Sequence, residues 1–94
     1  MERLIQDAKK TLCIIQLTND LPVLRAGLGL SQEEIAECIG MSRQTYNALE
    51  NKTRKMSWST CMALIALFAS NERTRRMLMT NGYSLELFNE LVTV

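Results

Sequence analysis

The segment that most constrains the fold is residues 31–51, SQEEIAECIGMSRQTYNALEN, in which two short helical patterns meet at a glycine. Residues 32–40 carry the first pattern. Ser31 is placed to cap it, because a serine side chain accepts a hydrogen bond from the free N–H groups of a first helical turn. Gly40 can adopt the left-handed conformation that commonly ends a helix. The pattern therefore predicts a short helix and a tight turn, with an apolar stripe formed by Ile35, Cys38 and Ile39.

The second pattern begins after Ser42, which can cap a helix that runs to about Glu50. Tyr46 and Leu49 lie three residues apart, so they face the same side of this helix and are expected to point into the core. Ala36 has a small side chain, which lets the second helix cross close to the first. Two helices joined by a turn of about three or four residues that contains glycine form a helix-turn-helix unit.

This segment resembles the helix-turn-helix of the phage-repressor (Cro-like, XRE-type) family of DNA-binding domains. The resemblance implies an all-α, lambda-repressor-like helix-turn-helix bundle of five family helices that begins near Asp20 and covers about residues 20–70. Residues 1–18 then form an extra N-terminal helix. The matching residues are the LGLSQEEIA run (28–36), Gly40, the SRQTYNALEN run (42–51) and the basic KTRK loop (52–55).

Apolar spacing and capping residues predict further helices on both sides of this segment, within one domain that spans residues 1–94. A helix is expected over residues 2–17, with Ile5, Ala8, Leu12 and Ile15 in a broad apolar stripe. Asn19 or Asp20 can cap a second helix, with Pro22 in its first turn and Gly27 and Gly29 at its end.

The C-terminal third of the chain also has capping residues at regular intervals. Ser57 can cap a helix to about Ala69, which is apolar on nearly all sides and is therefore expected to be central. Residues 71–94 are expected to form the C-terminal helices. Asn71 begins one that ends near Thr80, and Ser84 begins another that carries Leu87, Phe88 and Leu91 on one face.

Composition restricts the class of protein. Ninety-four residues with 47% hydrophobic content suit one small domain with a modest core. The chain has no histidine, and its three cysteines form no C-x-x-C pair. We therefore expect no metal site and no disulfide framework, and the reducing cytoplasm as the compartment. We also expect no enzymatic activity and no cofactor, because there are no clustered outward carboxylates and no Gly-rich phosphate loop. No signal peptide or membrane-spanning run is recognisable.

The net charge is only +1, but the charges are segregated. Residues 31–40 contain three glutamates and no basic residue, whereas residues 41–60 contain four basic residues and one acidic residue. The local excess of +3 lies on the second helix and the loop that follows it. Since phosphate neutralisation supplies most non-specific DNA affinity, we expect modest and salt-sensitive binding.

The resemblance implies that the outward side of the second helix contacts bases. Gln44 matches a family position that commonly meets a base, and glutamine can pair with adenine through two hydrogen bonds. Arg43 suits guanine or a phosphate, and the sequence does not separate these two. Asn47 can donate and accept hydrogen bonds, and Ala48 can pack on a thymine methyl group. The alternatives are a solvated Gln44 and an Ala48 that serves only as a helix former.

The DNA backbone contacts implied by the resemblance flank these base-contacting residues. Gln32 matches a glutamine that often contacts a phosphate and orients the glutamine of the recognition helix, here Gln44. Lys52 stands where the family usually has glycine. A charged loop is also commonly just solvated. The full set of expected backbone contacts is Ser31, Gln32, Ser42, Thr45, Lys52, Thr53, Arg54 and Lys55.

Several residues are expected to be structural. By resemblance, Arg25 should form an ion pair with Glu50 that fixes the end of the recognition helix. Trp58, Tyr46, Cys38 and the methionines are expected to fill the core, with the Cys38 thiol buried and inert.

These patterns predict a sequence-specific DNA-binding transcriptional regulator, a repressor, that inserts residues 42–50 in the major groove of double-stranded DNA. The apolar N-terminal helix must be covered, either by its own domain or by a second copy in a homodimer. The C-terminal helix, with Phe88, Leu91 and Val92, is the other candidate dimer surface. A second class is an antitoxin-like or other protein-interaction module with the same fold and a protein partner. The polar row Arg43, Gln44 and Asn47 favours the first class, since a pure interaction module would not need it.

Overall fold

A computed structural model describes residues 1–83, which fold into five α-helices with no β-strand among them. The expectation of an all-α helix-turn-helix bundle is confirmed. The predicted helix that begins at Ser84 lies outside the described residues. In chain order the helices are α1 (Glu2–Leu28), α2 (Gln32–Cys38), α3 (Arg43–Glu50), α4 (Trp58–Ala69) and α5 (Glu72–Thr80).

Four of these helices begin at the predicted capping residues. The hydroxyl oxygens of Ser31, Ser42 and Ser57 each accept a hydrogen bond from the backbone N–H three residues later. The Asn71 side chain accepts from two N–H groups in the first turn of α5. These caps use side chains close in sequence, so local signals were enough to locate them.

The prediction of two separate helices before residue 28 was wrong, because α1 is one helix of 27 residues. Leu17, Leu21 and Leu24 are all fully buried on one side of α1, so a single helical register carries the apolar face through Pro22. The carbonyl group that loses its donor is that of Thr18, which is partly exposed, so water can bond it. Asn19 and Asp20 consequently lie inside α1 and cap nothing.

Gly27 does not end α1 as predicted; it allows α5 to approach closely. A Cβ atom at this position would lie 2.7 Å from Sδ of Met77 and 3.1 Å from Cγ2 of Thr74. The helix ends at Gly29, whose φ of 73° is the left-handed conformation of a C-terminal cap.

Helix α4 packs against α1 and α5, whereas α1 packs against α3, α4 and α5, so α1 and not α4 is the central helix. The expectation that Trp58 is a core residue needs correction, because it is only half-buried, with the Lys10 ammonium 5.6 Å from the centre of its ring. The fully buried core contains Leu17, Leu21, Leu24, Ile35, Tyr46, Cys61, Leu64, Phe68 and Leu78, with Ala36, Leu49, Met56 and Ile65 nearly so.

Cys38 is exposed, so its predicted place in the core was wrong. Ile35 and Ala36 define the buried side of α2, and Cys38 lies about 110° around the helix from the middle of that side, given 100° per residue. The methionines also divide: Met56 is buried, whereas Met1 and Met79 are exposed.

The expected apolar stripe of the N-terminal turns is not covered within the described chain. Ile5, Leu12 and Ile15 each expose more than half of their accessible surface. Among residues 1–83, no helix combines the length and hydropathy needed to cross a membrane.

Candidate nucleic-acid interface

Local hydrogen bonds hold both the start of α2 and the turn between α2 and α3. Ser31 Oγ accepts from the Glu34 backbone N–H at 3.1 Å, and Glu34 Oε1 accepts from the Ser31 N–H at 2.9 Å. The bond from the Ser31 backbone, and after it the Ser31 side chain, lowers the pKa of the Glu34 carboxyl group. Gly40 has a φ of 75°, which lets the Met41 N–H return to the Ala36 carbonyl at 3.0 Å. The backbone of the turn therefore fixes how α3 follows α2, and the reciprocal cap fixes where α2 begins.

Helix α3 is anchored on one side and open on the other. Tyr46 is fully buried and Leu49 nearly so, as predicted from their spacing. Arg43 and Gln44 are exposed, whereas Asn47 is partly exposed. Ala48, also partly exposed, completes the expected base-contacting set. The fold thus brings the four residues to the accessible part of one rigidly held helix.

Glu50, the last residue of α3, receives hydrogen bonds from three other residues. Arg25 Nε lies 2.7 Å from Oε1, and Arg25 Nη2 lies 3.4 Å from Oε2. The Tyr46 hydroxyl donates to Oε1 at 2.8 Å, and Gln32 Nε2 donates to Oε2 at 3.0 Å. The ion pair implied by the resemblance is present, and it belongs to a network that joins α1, α2 and α3.

The protonation states follow from this network. Burial alone would raise the pKa of Glu50, but hydrogen bonds from Arg25, Tyr46 and Gln32 together outweigh it and hold that pKa below its usual range. The hydrogen bond to Glu50 raises the pKa of Arg25, and burial together with Glu50 raises that of Tyr46. The pair is therefore charged at neutral pH. Arg25 also donates from Nη1 to the Leu30 carbonyl at 3.2 Å, just before α2 begins.

Gln32 contacts Asn47, not Gln44 as the resemblance had suggested. Its amide nitrogen donates to Asn47 Oδ1 at 3.1 Å and also to Glu50. Asn47 and Glu50 lie three residues apart on the same side of α3, and the Glu50 carboxylate is a stronger acceptor than a neutral amide. The charged end of α3 therefore directs the Gln32 side chain away from Gln44.

This contact fixes how Asn47 can act. Its Oδ1 accepts from Gln32, so its NH2 group is the part available to an external acceptor. The major-groove edge of a base pair offers such acceptors at guanine O6 and N7, adenine N7 and thymine O4. Asn47 is thus oriented as a donor before any ligand arrives.

The basic loop after α3 is folded back onto the end of that helix. The Ala48 carbonyl accepts hydrogen bonds from the Thr53 N–H at 3.0 Å and the Arg54 N–H at 3.2 Å. Lys52 adopts a φ of 64°, the left-handed conformation that glycine takes most easily. Met56, almost fully buried, ends the loop. Lys52, Thr53, Arg54 and Lys55 are therefore all exposed on one short, well-anchored segment.

Comparison with known families gives a match to the family described as Helix-turn-helix over residues 24–70, half of the chain. The chain belongs to the XRE-type helix-turn-helix family. This is a family of DNA-binding regulators, and α2 and α3 form its helix-turn-helix. Comparison with curated proteins and with solved structures gave no match.

The helix-turn-helix match begins in the second half of α1 and ends just after α4. Lys52 is the clearest departure from the family pattern, and its positive φ shows that the backbone keeps the conformation glycine would have. The N-terminal turns of α1 and the whole of α5 lie outside the matched residues.

Sequence reasoning missed one contact within this interface and one groove beside it. The hydrogen bond from the Tyr46 hydroxyl to Glu50 could have been predicted from the sequence, because the two residues are four apart on one helix. The groove between α1 and the basic loop could not be predicted from sequence spacing, because it is formed by residues far apart in the chain. It has a volume of about 520 Å³ and an apolar floor that includes Ile14, Ile15 and Met56.

Proposed function

We propose that this protein is a sequence-specific transcriptional repressor that inserts α3 in the major groove of double-stranded DNA and binds as a homodimer. The observation that carries the proposal is the accessible row Arg43, Gln44 and Asn47 on a helix whose end is fixed by the Glu50 network. Direct readout needs side chains held in position before binding, because each misplaced hydrogen bond loses discrimination.

Each residue of this row has a distinct chemical role in the proposal. Gln44 would pair with adenine N6 and N7, and Arg43 would bind guanine O6 and N7 or a nearby phosphate. Asn47 would donate from its free NH2 group to a base acceptor. Ala48 would lie against a thymine methyl group, where its small side chain permits close approach.

The flanking residues would bind the sugar–phosphate backbone. Ser31 and Gln32 lie at the start of α2, where the first N–H groups of a helix have no intrahelical partner, and Ser42 and Thr45 lie at the start of α3. The exposed loop 52–55 adds three cations and the Thr53 hydroxyl. With Arg43, four cations would neutralise phosphates. The logarithm of affinity should then fall with the logarithm of salt concentration with a slope of roughly −3 to −4 for each bound domain.

Dimeric binding would place two such helices on one face of DNA, in half-sites about 34–36 Å apart. Repression is the simplest outcome for a small domain that occupies its site, because occupancy alone excludes other proteins from that DNA. A DNA-binding role also places the protein in the compartment that holds the DNA, in line with the expected cytoplasm.

Selection of bound sequences from a pool of random duplexes at low salt tests this proposal. We expect one motif with two inverted halves, and a relaxed preference at one base pair per half-site for Gln44→Ala. The matched control is Gln6→Ala, which removes the same side chain from α1. If no motif emerges, or if Gln44→Ala leaves the motif unchanged, direct readout by Gln44 is wrong.

A second candidate is an interaction module of the antitoxin-like kind, favoured by the exposed apolar stripe on α1. That candidate predicts binding to a protein partner that survives loss of the polar row. A variant in which Arg43, Gln44 and Asn47 are all replaced by alanine separates the two candidates. A DNA-binding repressor should lose its function in this variant, whereas an interaction module should still bind its protein partner through α1.

A further inference from the structure

Two cysteine side chains meet where α1 packs against α4. The Sγ atoms of Cys13 and Cys61 lie 4.0 Å apart, although the two residues are 48 positions apart in the chain. Cys61 is fully buried, whereas Cys13 is partly exposed. The proposed DNA contacts include neither residue, and Cys13 lies before the residues that match the family.

The contact makes the two thiols unequal. The hydrogen bond from the Cys61 side chain stabilises a thiolate at Cys13 and lowers the pKa of Cys13, although partial burial opposes this. The same hydrogen bond, together with burial, raises the pKa of Cys61, which therefore keeps its proton. The thiolate is the reactive form of cysteine, so Cys13 is the nucleophile of the pair.

A partly exposed thiol that ionises readily, with a second thiol beside it, is the arrangement of a redox-sensitive cysteine and its resolving partner. We propose that Cys13 and Cys61 form a reversible disulfide bond when the protein meets a peroxide, and that Cys13 is oxidised first. An S–S bond is about 2.05 Å long, so the sulfur atoms must approach by about 2 Å. New side-chain rotamers and a small shift of α1 on α4 supply this approach.

The reaction has two steps. The Cys13 thiolate attacks one oxygen of hydrogen peroxide, the O–O bond breaks, and hydroxide leaves while Cys13 becomes a sulfenic acid. Sγ of Cys61 then attacks Sγ of Cys13, the S–O bond breaks, and the hydroxyl group leaves as water with the proton of Cys61. The two thiols thus lose two electrons and two protons, and the peroxide becomes two water molecules. A dithiol reductant reverses the change by thiol–disulfide exchange, so the dithiol is the resting form in a reducing compartment.

The disulfide bond encloses the helix-turn-helix. Residues 31–51 lie between Cys13 and Cys61, so the bond joins the two ends of the segment that contains α2 and α3. A link across a long loop restricts the unfolded chain and thereby stabilises the fold. Oxidation therefore holds the DNA-binding helices in the folded domain, and this effect can be measured without DNA.

Peptide mapping of the full chain after exposure to hydrogen peroxide tests the bond. Once free thiols are blocked by alkylation, trypsin places the cysteines on three separate peptides, residues 11–25, 26–43 and 56–73. We expect peptides 11–25 and 56–73 to be linked in the main oxidised product, and dithiothreitol to separate them. Cys38→Ser, which removes the exposed thiol, should give the same product. A main product that links Cys38, or no link at all, would overturn the proposal.

Oxidation in concentrated urea is the control for the fold. In an unfolded chain the shorter loops close more easily, so links from Cys38 to Cys13 or to Cys61 should then predominate. If the Cys13–Cys61 link forms in the same share with and without urea, the packing of α1 on α4 does not direct it.

Two alanine variants test the order of the steps. In Cys61→Ala the sulfenic acid has no resolving thiol, so dimedone should trap it on peptide 11–25. Cys13→Ala is the matched variant and should give no dimedone adduct on peptide 56–73. An adduct on Cys61 would contradict the assigned roles. The native protein and Cys38→Ser test the bond itself without a change in the core.

Thermal unfolding tests the effect on the domain. The oxidised native protein should unfold about 10 °C or more above the reduced protein, because the bond closes a long loop. Cys13→Ala, treated with peroxide in the same way, should show no such rise, which separates the disulfide bond from oxidation of the methionines. Equal unfolding temperatures for the oxidised and reduced native protein would overturn the stabilising role of the bond.

Discussion

The side-chain amide nitrogen of Gln32 lies 3.1 Å from Oδ1 of Asn47, which joins the first residue of α2 to the middle of α3. The same nitrogen also donates to Glu50 at 3.0 Å. A residue expected to serve the phosphate backbone therefore also orients a residue of the base-contacting row. Positioning of Asn47 and the stability of the domain depend on the same side chain.

Replacing Gln32 should therefore affect stability as well as DNA binding. Gln32→Ala removes one donor from the Glu50 carboxylate and one from Asn47, and we expect the free energy of unfolding to fall by about 1 kcal/mol. Urea denaturation measures this change. Gln6→Ala is the control, and an equal effect of the two substitutions would show that the contacts of Gln32 do not stabilise the fold.

The Arg25–Glu50 ion pair should be worth far more than the second ion pair among the described residues. The side chains of Arg25 and Glu50 are only 24% and 7% exposed, whereas those of Arg76 and Glu72 are 75% and 68% exposed. Arg25→Met leaves a partly buried carboxylate without its cation and should cost about 2–4 kcal/mol of unfolding free energy. Arg76→Met should cost at most about 0.5 kcal/mol. Similar losses in thermal or urea unfolding would contradict the importance given to the Glu50 network.

The same network predicts a pH dependence. Because the pKa of Glu50 is lowered in the folded state, its carboxylate contributes stability above the unfolded-state pKa of about 4.3. That contribution is lost as the pH falls through the lower folded-state pKa. Glu50→Gln should therefore be less stable than the native protein at pH 7, and the difference should shrink below about pH 4. Urea titrations at several pH values measure it, with the exposed Glu33→Gln as control. A stability difference that stays constant with pH would show that ionised Glu50 does not stabilise the native protein.

Lys52 combines an unfavourable backbone conformation with a charge suited to DNA. The left-handed conformation destabilises the folded state by about 1–2 kcal/mol for a residue other than glycine. Glycine avoids this strain, but it loses more conformational entropy on folding, which costs about 0.5–1 kcal/mol. Lys52→Gly should therefore stabilise the domain by about 0.5–1 kcal/mol. It should also reduce the salt slope of DNA binding by about 0.9 for each bound domain.

Lys55→Gly is the control for both effects, since Lys55 has no positive φ. It should lower the salt slope by a similar amount without raising stability. A Lys52→Gly protein with unchanged stability would contradict the strain at this position, and one with an unchanged salt slope would remove Lys52 from the phosphate contacts.

The parts of this fold that the sequence predicted are those with local causes. Ser31, Ser42, Ser57 and Asn71 cap their helices through neighbouring N–H groups, so their positions could be located without knowing the tertiary fold. Pro22 wrongly indicated the start of a second helix. Burial of Leu21 and Leu24 on either side of it stabilises one continuous helix instead. A continuous α1 could not be predicted from propensity alone.

In the candidate site, too, the features with local causes could be predicted and those that depend on tertiary packing could not. The outward row on α3 follows from the inward spacing of Tyr46 and Leu49. The pairing of Gln32 with Asn47 depends on where the Glu50 carboxylate lies after three helices have packed, and no spacing rule specifies that. The exposure of Cys38 was missed because Ala36, not Cys38, marks the buried side of α2.

The most direct test of the central claim is NMR of the full chain bound to its best-selected duplex. We expect contacts between base protons of the major groove and the side chains of Gln44, Asn47 and Ala48, with the Asn47 NH2 resonances among the most strongly shifted. Amide signals of the 52–55 loop should shift as well. Contacts confined to α1 or α5, with α3 signals unchanged, would contradict the claim that α3 reads DNA.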